Sequence, residues 1–541
     1  MPTTPGIRAG LLLVIVSLIV LLPGIRTASL FERDEAAYAQ MSREILESGQ
    51  WIVPPYLGEP WMGKPPLALW LTAISFRVFG VGEWQARAVS VAATVACVLL
   101  VARWAAGLYG RRAGLVAGLM FITGGLVACT GRLLLTDSLL LLFLLMAVLA
   151  HWRMASEAVT HARAAAYWLA IGLGILVKGP AILLFAGLFA IALLSAPGCR
   201  AWIARWRWWA WTPLGIASAG WWYVCASRAV GPQLHEQLLW HEVIERMLRA
   251  EQGHSGPPGY YVLAMLAGLL PWTPFAPGAI VWAWQRRRQD PAARVLLLWP
   301  LLSWLALELI STKLPHYALP CCVPISILLA AAAADALRRG TAVQPAGGER
   351  AVLRLWAAIP IALGLALCAV AAYGHAAQWS APTLAAGLGL AGGFATVGFL
   401  VRRGKAPGAF AAAVAVMCVF YGIAGSFVLP ATEPYRLSRL VADRVNAMAT
   451  PSMDVIACQY EEPTVFFYMR MPGRVLPVSK LAEAFHSARR PTLILSRDRD
   501  WQKVGIVPGA PGARWESVTG INLGRSRRET VWLAVLAVNG S

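Results

Sequence analysis

An acidic pair, Asp34-Glu35, stands in a polar segment directly after the first hydrophobic run of the chain. A carboxylate at such a place could accept a proton from a nucleophile, or stabilise positive charge on a sugar ring in an oxocarbenium-like transition state. The alternative is a structural role, because acidic residues favour the first turn of a helix, and residues 36–46 have an amphipathic helical pattern.

A lysine follows about thirty residues later, in Gly63-Lys64-Pro65-Pro66. The two prolines fix the backbone at the start of a predicted helix over residues 67–79. A lysine beside the amides of a helix N-terminus can hold a phosphate group. The alternative is a lysine whose ammonium group reaches the lipid headgroups.

Five further polar residues lie at or near the outer starts of two predicted membrane spans. Asp137 follows Arg132 at the start of one span, where it could also cap the helix. Lys313, His316 and Tyr317 form a turn before another span. Ionisable groups at the membrane edge are costly and usually functional. Basic loops that meet at one membrane face suit a phosphate-bearing ligand, so we predict a site there.

The elements that must position these residues are hydrophobic helices. The chain has 541 residues, of which 58% are hydrophobic and 14% charged, and its mean hydropathy is +0.59. Many of the hydrophobic residues form continuous runs, and several of these runs are long enough to cross a bilayer as helices. We predict a mainly α polytopic membrane protein with about thirteen spans, near residues 9–25, 85–108, 112–130, 134–151, 164–178, 180–195, 208–229, 260–283, 294–312, 317–338, 354–374, 381–402 and 408–429.

The distribution of basic residues predicts the orientation of these spans. With the N-terminus in the cytoplasm, most arginines fall in cytoplasmic connectors, whereas the short outer connectors hold only Arg132, Lys178 and Lys313. This positive-inside bias supports an odd number of spans. The first run is then a retained signal anchor. Outer loops over residues 26–84 and 231–259 and an outer C-terminal segment follow from this orientation.

The segment from residue 431 to 541 reads as a small α/β domain, distinct from a membrane domain over residues 1–430. It carries no nucleotide-binding fingerprint. Its patterns predict helices over 435–449 and 481–488 and strands over 453–458, 492–496 and 529–538.

Composition excludes several other roles. The formal net charge of +20 is spread over many connectors, so it indicates membrane topology rather than nucleic-acid binding. The nine cysteines form no CxxC pair and no disulfide framework. Glu35 and His254 are candidates for metal ligands. The pattern requires no cofactor, and a divalent metal is an open alternative.

The motifs together resemble a known family. They are Asp34-Glu35-Ala36-Ala37-Tyr38-Ala39, Gly49-Gln50-Trp51-Ile52-Val53-Pro54, Lys64-Pro65-Pro66-Leu67 and Lys313-Leu314-Pro315-His316-Tyr317. In this order they resemble the bacterial aminoarabinose transferases of lipid A, which are related to the protein O-mannosyltransferases among the GT-C glycosyltransferases. The resemblance covers the membrane region in order and the outer C-terminal segment more loosely.

The resemblance implies a GT-C fold in the bacterial inner membrane, with amphipathic periplasmic helices in the first outer loop. It implies transfer of a sugar from a polyprenyl-phosphate carrier to a periplasmic acceptor, with lipid A as the leading candidate. Asp34 and Asp137 are then the catalytic residues. The substrate-binding residues are Glu35, Tyr38, Lys64, Arg132, Lys313, His316 and Tyr317.

The sequence departs from the family pattern at two positions. Ala37 stands where the family usually has arginine, and Gly63 stands where it usually has glutamate. Both changes remove charge near the expected donor site, so the identity of the sugar stays open.

Two other functions stay open as well. A protein O-glycosyltransferase of the same architecture would differ in its acceptor, a hydroxyl instead of a phosphate. A transporter or lipid flippase would show internal repeats and charges near the middle of the bilayer. Neither is evident in this sequence, whose outer charges gather at one face.

Overall fold

The computed structural model describes residues 6–196, 198–200, 205–245, 255–339, 347–373, 377–488, 490–522, 525 and 527–536. It is mainly helical. The N-terminal helices are α1 Ile7–Leu21, α2 Asp34–Ser48, α3 Leu67–Phe79, α4 Glu83–Tyr109, α5 Arg111–Thr123, α6 Gly125–Thr130, α7 Thr136–Ser156, α8 His161–Lys178, α9 Ala181–Ser195, α10 Trp206–Trp209, α11 Thr212–Val230 and α12 Gln233–His235.

The remaining helices are α13 Tyr260–Gly268, α14 Ala276–Arg286, α15 Pro291–Glu308, α16 Leu319–Arg339, α17 Gly347–Tyr373, α18 Ala377–Arg402, α19 Ala406–Ile423, α20 Leu429–Ala431, α21 Leu437–Met448, α22 Pro463–Tyr468, α23 Leu481–His486 and α24 Asp498–Lys503. The strands are β1 Pro55–Tyr56, β2 Glu59–Pro60, β3 Asp454–Cys458, β4 Gly473–Leu476, β5 Thr492–Arg497, β6 Arg514–Asn522 and β7 Arg527–Leu536.

Helices cover most of each predicted hydrophobic span, which confirms a helical, polytopic membrane protein. Among the described residues, seven helices are long and apolar enough to cross a membrane, and a bent helix pair raises this number to eight. The pair joins Tyr260–Gly268 to Thr273–Arg286 at 115°. The predicted span over 112–130 is interrupted at Gly124, between α5 and α6. The expected number of thirteen therefore stays a prediction.

The described residues divide into two compact units. Unit 1 comprises Met1–Ile25, Met62–Ala68 and Arg87–Val428. Within it, α7 packs against α8 and α9, α15 packs against α9 and α16, and α17, α18 and α19 pack in sequence. The break between α8 and α9 falls at Gly179, whose φ of +59° suits glycine. The break lies where the sequence pattern predicts it, between the spans 164–178 and 180–195.

Unit 2 comprises Arg26–Trp61, Leu69–Ala86 and Leu429–Ser541. Its centre is a five-stranded sheet in the order β4-β3-β5-β7-β6. β3 is parallel to β4 and β5, whereas β7 is antiparallel to β5 and β6. The C-terminal segment contains a small sheet, as expected, but β4 and β6 were not predicted, and a separate domain over residues 431–541 stays a prediction.

Both faces of this sheet are covered. Val455 and Leu493 point towards a core that includes α21 and α22, while Ile456 and Ile494 pack on the other side with Trp501. Alternate residues of β3 and β5 thus enter different cores. This explains why these strands read as continuous apolar runs.

The first polar segment belongs to the same unit. Helix α2 packs against α22 and against β1. Glu44 of α2 accepts hydrogen bonds from the amides of Leu57 and Gly58 at 3.0 and 3.2 Å, which holds the β1–β2 hairpin. Arg43 donates to the carbonyl oxygens of Phe466 and Phe467.

Candidate active site

Asp137 of unit 1 is surrounded by basic groups. Its Oδ1 lies 2.7 Å from Nζ of Lys178, and its Oδ2 lies 3.8 Å from Nε2 of His316. Lys64 also interacts electrostatically with this carboxylate. The Asp137 side chain is 9% exposed and that of Lys178 is 15% exposed. The ion pair is therefore shielded from water, which strengthens its Coulomb attraction.

Helix ends position these groups. Asp137 is the second residue of α7, and the preceding N-cap residue, Leu135, has no side-chain cap. Lys178 is the last residue of α8. His316 and Tyr317 lie in the short 3-10 turn Pro315–Ala318 before α16. The N-cap alternative for Asp137 is thus not what the structure has, since its carboxylate binds Lys178.

Tyr317 completes the cluster. Its ring centroid lies 4.8 Å from Nζ of Lys178, within reach of a cation–π interaction. The His316 and Tyr317 rings meet edge to face. The group formed by Lys64, Asp137, Lys178, His316 and Tyr317, here called the Asp137 cluster, contains one carboxylate and two lysines. Its excess of positive charge suits an anionic ligand such as a phosphate.

Lys313 takes part in a different ion pair. Its Nζ lies 2.6 Å from Oε2 of Glu308 and 3.4 Å from the carbonyl oxygen of Pro257. Oε1 of Glu308 accepts a hydrogen bond from the amide of Tyr261 at 3.0 Å. Lys313 therefore ties the end of α15 to the start of α13. The sequence pattern predicts Lys313 at the outer face but does not indicate Glu308 as its partner.

Arg132 contacts the segment that follows α1. Its guanidinium donates a hydrogen bond to the carbonyl oxygen of Pro23 and lies beside Gly425. Gly24, which follows Pro23, has a φ of +73°, and a Cβ there would overlap the carbonyl oxygen of Gly425. Only glycine fits at this close approach.

The acidic pair lies in unit 2, in the first turn of α2. Asp34 is exposed, whereas Glu35 is 2% exposed and its Oε2 accepts a hydrogen bond from the Phe31 amide at 2.7 Å. Glu35 therefore satisfies an amide that precedes the helix. Tyr38 is buried one turn further along. These positions leave Asp34 as the accessible carboxylate of the pair.

Arg33, directly before Asp34, has an unusual backbone. Its φ is +68° and its ψ is −106°, a region that residues with a Cβ rarely adopt. Such a conformation costs about 1–3 kcal/mol, and it tends to occur at functional sites. The sequence gives no sign of this feature, because arginine rarely adopts a positive φ.

The structure bears differently on the two predicted metal ligands, Glu35 and His254. His254 lies outside the described residues. Within the ranges that the structure describes, no three His, Cys, Asp or Glu side chains are grouped so that they could hold a metal ion. Glu35 is engaged with the Phe31 amide.

Comparison with known proteins extends these observations. Residues 63–222 match the family described as dolichyl-phosphate-mannose-protein mannosyltransferase. The chain is similar to the undecaprenyl phosphate-alpha-4-amino-4-deoxy-L-arabinose arabinosyl transferase of Enterobacter sp. (strain 638), with 30% identity over 326 residues that cover 58% of this chain and 57% of the relative. The protein of the same description from Pseudomonas aeruginosa (strain UCBPP-PA14) is 31% identical over 378 residues, covering 68% of this chain and 65% of the relative.

The fold is similar over a longer stretch. The crystal structure of ArnT from Cupriavidus metallidurans bound to undecaprenyl phosphate superimposes with a TM-score of 0.80, covering 96% of this chain and 97% of that one at 21% identity. The predicted family resemblance is confirmed. The chain has the fold of the aminoarabinose transferase ArnT, while its sequence match spans less than two thirds of the length of these curated relatives.

Proposed function

We propose that the chain is a membrane glycosyltransferase that moves a sugar from a polyprenyl-phosphate carrier to lipid A. The Asp137 cluster carries this proposal, because two lysines around one shielded carboxylate form a cationic group suited to a phosphate. The similarity to transferases named for an undecaprenyl-phosphate-linked sugar supports the same chemistry.

In this proposal Lys64 and Lys178 bind the phosphate of the carrier, which is the leaving group of the reaction. Asp137 keeps Lys178 oriented through their 2.7 Å contact, and Tyr317 covers the same ammonium group. Holding the phosphate in place stabilises the negative charge that grows on it as the bond to the sugar breaks. Arg132 and Lys313 are the second choice for binding this phosphate, because they lie outside the Asp137 cluster, in contacts with Pro23 and Glu308.

Asp34 is the proposed catalytic carboxylate in unit 2. If the acceptor is a lipid A phosphate, it is already ionised near neutral pH and needs little help from a base. Asp34 would then stabilise positive charge on the sugar ring and orient the acceptor. If the acceptor is a hydroxyl, Asp34 would accept its proton. Glu35 supports the first turn of α2 through the Phe31 amide, and Tyr38 is buried one turn further along.

The proposed setting is the bacterial inner membrane. We place the N-terminus in the cytoplasm, thirteen spans in the membrane domain over residues 1–430, and the outer loops 26–84 and 231–259 in the periplasm with the segment 431–541. The clustering of arginines in alternate connectors supports this orientation. In a variant whose nine native cysteines are replaced by serine or alanine, single cysteines introduced at Glu157 and Asp443 test it. A membrane-impermeant maleimide should modify only the second in intact spheroplasts.

Mass spectrometry of lipid A from cells with and without the protein tests the proposed function. We expect a sugar-sized mass increment that depends on the protein and is lost in the variant Asp34→Asn. The mass of the increment identifies the sugar, which matters because Ala37 and Gly63 replace charged residues of the family pattern. Identical lipid A from both strains would overturn the assignment of lipid A as acceptor.

A protein O-glycosyltransferase is the second candidate. The match of residues 63–222 to a family described by protein mannosyl transfer favours it. In that case the sugar would appear on serine or threonine residues of periplasmic proteins from the same cells, while lipid A would be unchanged.

A further inference from the structure

Three side chains from the C-terminal part of unit 2 hold the backbone of the segment that leads to Asp34. Glu433 accepts hydrogen bonds from the amide and the hydroxyl of Ser29, the first at 3.0 Å. Arg436 donates to the carbonyl oxygen of Ser29 at 3.0 Å. The hydroxyl oxygen of Tyr468 accepts from the Leu30 amide at 2.9 Å. We call Glu433, Arg436 and Tyr468 the clamp.

The backbone that the clamp holds is buried, and of the clamp residues Arg436 is buried while Glu433 and Tyr468 are partly buried. Ser29, Leu30 and Arg436 are 5%, 1% and 4% exposed. The Arg436 guanidinium lies 5.0 Å from the centroid of the Phe31 ring and 3.3 Å from the Glu433 carboxylate. Water cannot readily replace hydrogen bonds at such a place, so the loss of one partner leaves a buried polar group unsatisfied.

The clamped segment continues directly into the strained turn. Oε2 of Glu35 accepts from the Phe31 amide, and the Phe31 carbonyl oxygen accepts from the Ala36 amide at 3.2 Å. Between these contacts lies Arg33, with its φ of +68°. A residue with a Cβ keeps such a conformation only where the surrounding structure imposes it. The contacts on either side of Arg33 supply that constraint.

We propose that Glu433, Arg436 and Tyr468 are positioning residues that impose the strained backbone of Arg33 and thereby fix the orientation of Asp34. This inference rests on the proposed function, in which Asp34 is the catalytic carboxylate. The C-terminal segment then takes part in catalysis through the first polar segment, without contacting the reacting atoms. Displacements of about 1 Å at a catalytic group can lower turnover by about a hundredfold.

Two conservative variants release the clamp. Tyr468→Phe removes the acceptor of the Leu30 amide and keeps the ring, and Glu433→Gln removes the charge that holds Ser29. We expect kcat to fall at least about tenfold in each, with a smaller change in KM for the carrier. The matched control is Tyr460→Phe, which removes a buried hydroxyl bonded to Ser438 in the same unit and should leave kcat within about twofold of the wild type.

Substitutions at residue 33 distinguish a positioning role of the clamp from a general loss of stability. Arg33→Ala and Arg33→Gly both remove the side chain, but only glycine adopts a φ of +68° without strain. In the Arg33→Ala background, Tyr468→Phe should still lower kcat about tenfold. In the Arg33→Gly background, the same substitution should have an effect of less than about threefold, because the clamp has no strain to oppose. Equal losses in both backgrounds would overturn the proposal.

A measurement without substrate keeps this test independent of the proposed function. Hydrogen exchange of the amides of residues 29–37 in the purified full-length protein should be faster in Tyr468→Phe than in the wild type, and Tyr460→Phe should not change it. Unchanged exchange in Tyr468→Phe contradicts the clamp itself. Faster exchange in a protein whose wild type transfers no sugar would leave the clamp standing and refute the proposed function instead.

Discussion

The ammonium group of Lys178, at the end of α8, lies 2.7 Å from the carboxylate of Asp137, at the start of α7. Both side chains are largely shielded, so neither charge is well solvated without the other. Removing one partner of a buried ion pair costs about 3–5 kcal/mol, because the other charge stays buried. The pair therefore stabilises the helix ends that carry the proposed phosphate site.

We predict that Asp137→Asn lowers the free energy of unfolding by about 3 kcal/mol. The matched control is Glu157→Gln at the other end of α7. Glu157 pairs with Arg163 in an exposed position, and such pairs contribute less than about 1 kcal/mol. Thermal unfolding of both variants in detergent compares the two effects. Equal shifts would contradict the shielding of the Asp137 pair.

We predict that Lys64→Ala weakens binding of a polyprenyl phosphate by about tenfold to a hundredfold, since a hydrogen bond to a charged group contributes about 1.5–3 kcal/mol. Lys64→Arg keeps the charge and should retain most of the affinity. Native mass spectrometry with the lipid measures the dissociation constants. Lys405→Ala, at an exposed lysine before α19, is the control. Unchanged affinity in Lys64→Ala would remove Lys64 from the proposed site.

We predict that Asp34→Asn abolishes transfer, with a loss of at least about a hundredfold in kcat, while the protein stays folded. Asp34 is exposed in the first turn of α2, so the lost interaction with the helix dipole costs only about 0.3–1 kcal/mol. Asp443→Asn, an exposed aspartate on α21 that pairs with Arg439, is the control. Transfer close to that of the wild type in Asp34→Asn would refute its catalytic role.

We predict that unit 2 loses stability in acid partly through Glu529 of β7. Burial raises the pKa of this carboxyl, but hydrogen bonds from Arg527 and Asn522 outweigh it, so the pKa lies below the ordinary value of 4.5. A lowered pKa in the folded state gives stability that is present above 4.5 and is lost as the pH falls through the lowered value. Glu529→Gln should flatten the pH dependence of the unfolding midpoint below 4.5.

The control for this titration is Glu483→Gln, which removes an exposed carboxylate from α23. Midpoints measured from pH 7 to pH 3 for both variants and the wild type separate the role of Glu529 from the general loss of a negative charge. A Glu529→Gln profile that runs parallel to the wild type would contradict the prediction.

Sequence patterns sufficed for elements whose side chains are apolar along most of their length. Long apolar runs predicted the helices, and the run at residues 492–496 predicted β5, because strands covered on both faces carry apolar side chains throughout. β4 and β6 lie at the two edges of the sheet. Many of their side chains are partly exposed, so their sequences lack the apolar pattern that identifies a strand.

Only those residues of the candidate site whose position follows from local sequence were predicted. Asp137, Lys64, His316 and Tyr317 precede or begin helices, and a common membrane face was enough to group them. The partners Lys178 and Glu308 depend on how helices pack, and no local pattern encodes that. No local pattern predicts the contacts of the clamp either, because Ser29 and Glu433 are 404 residues apart in the chain.

That separation has a consequence for biosynthesis. At about 5–20 residues per second, the ribosome needs roughly 20–80 s to make the 404 residues between Ser29 and Glu433. During this interval the segment around Asp34 has already been made while its partners do not yet exist. With the clamp as proposed, the strained backbone of Arg33 is imposed only after residues 433–468 have been translated, late in the synthesis of the chain.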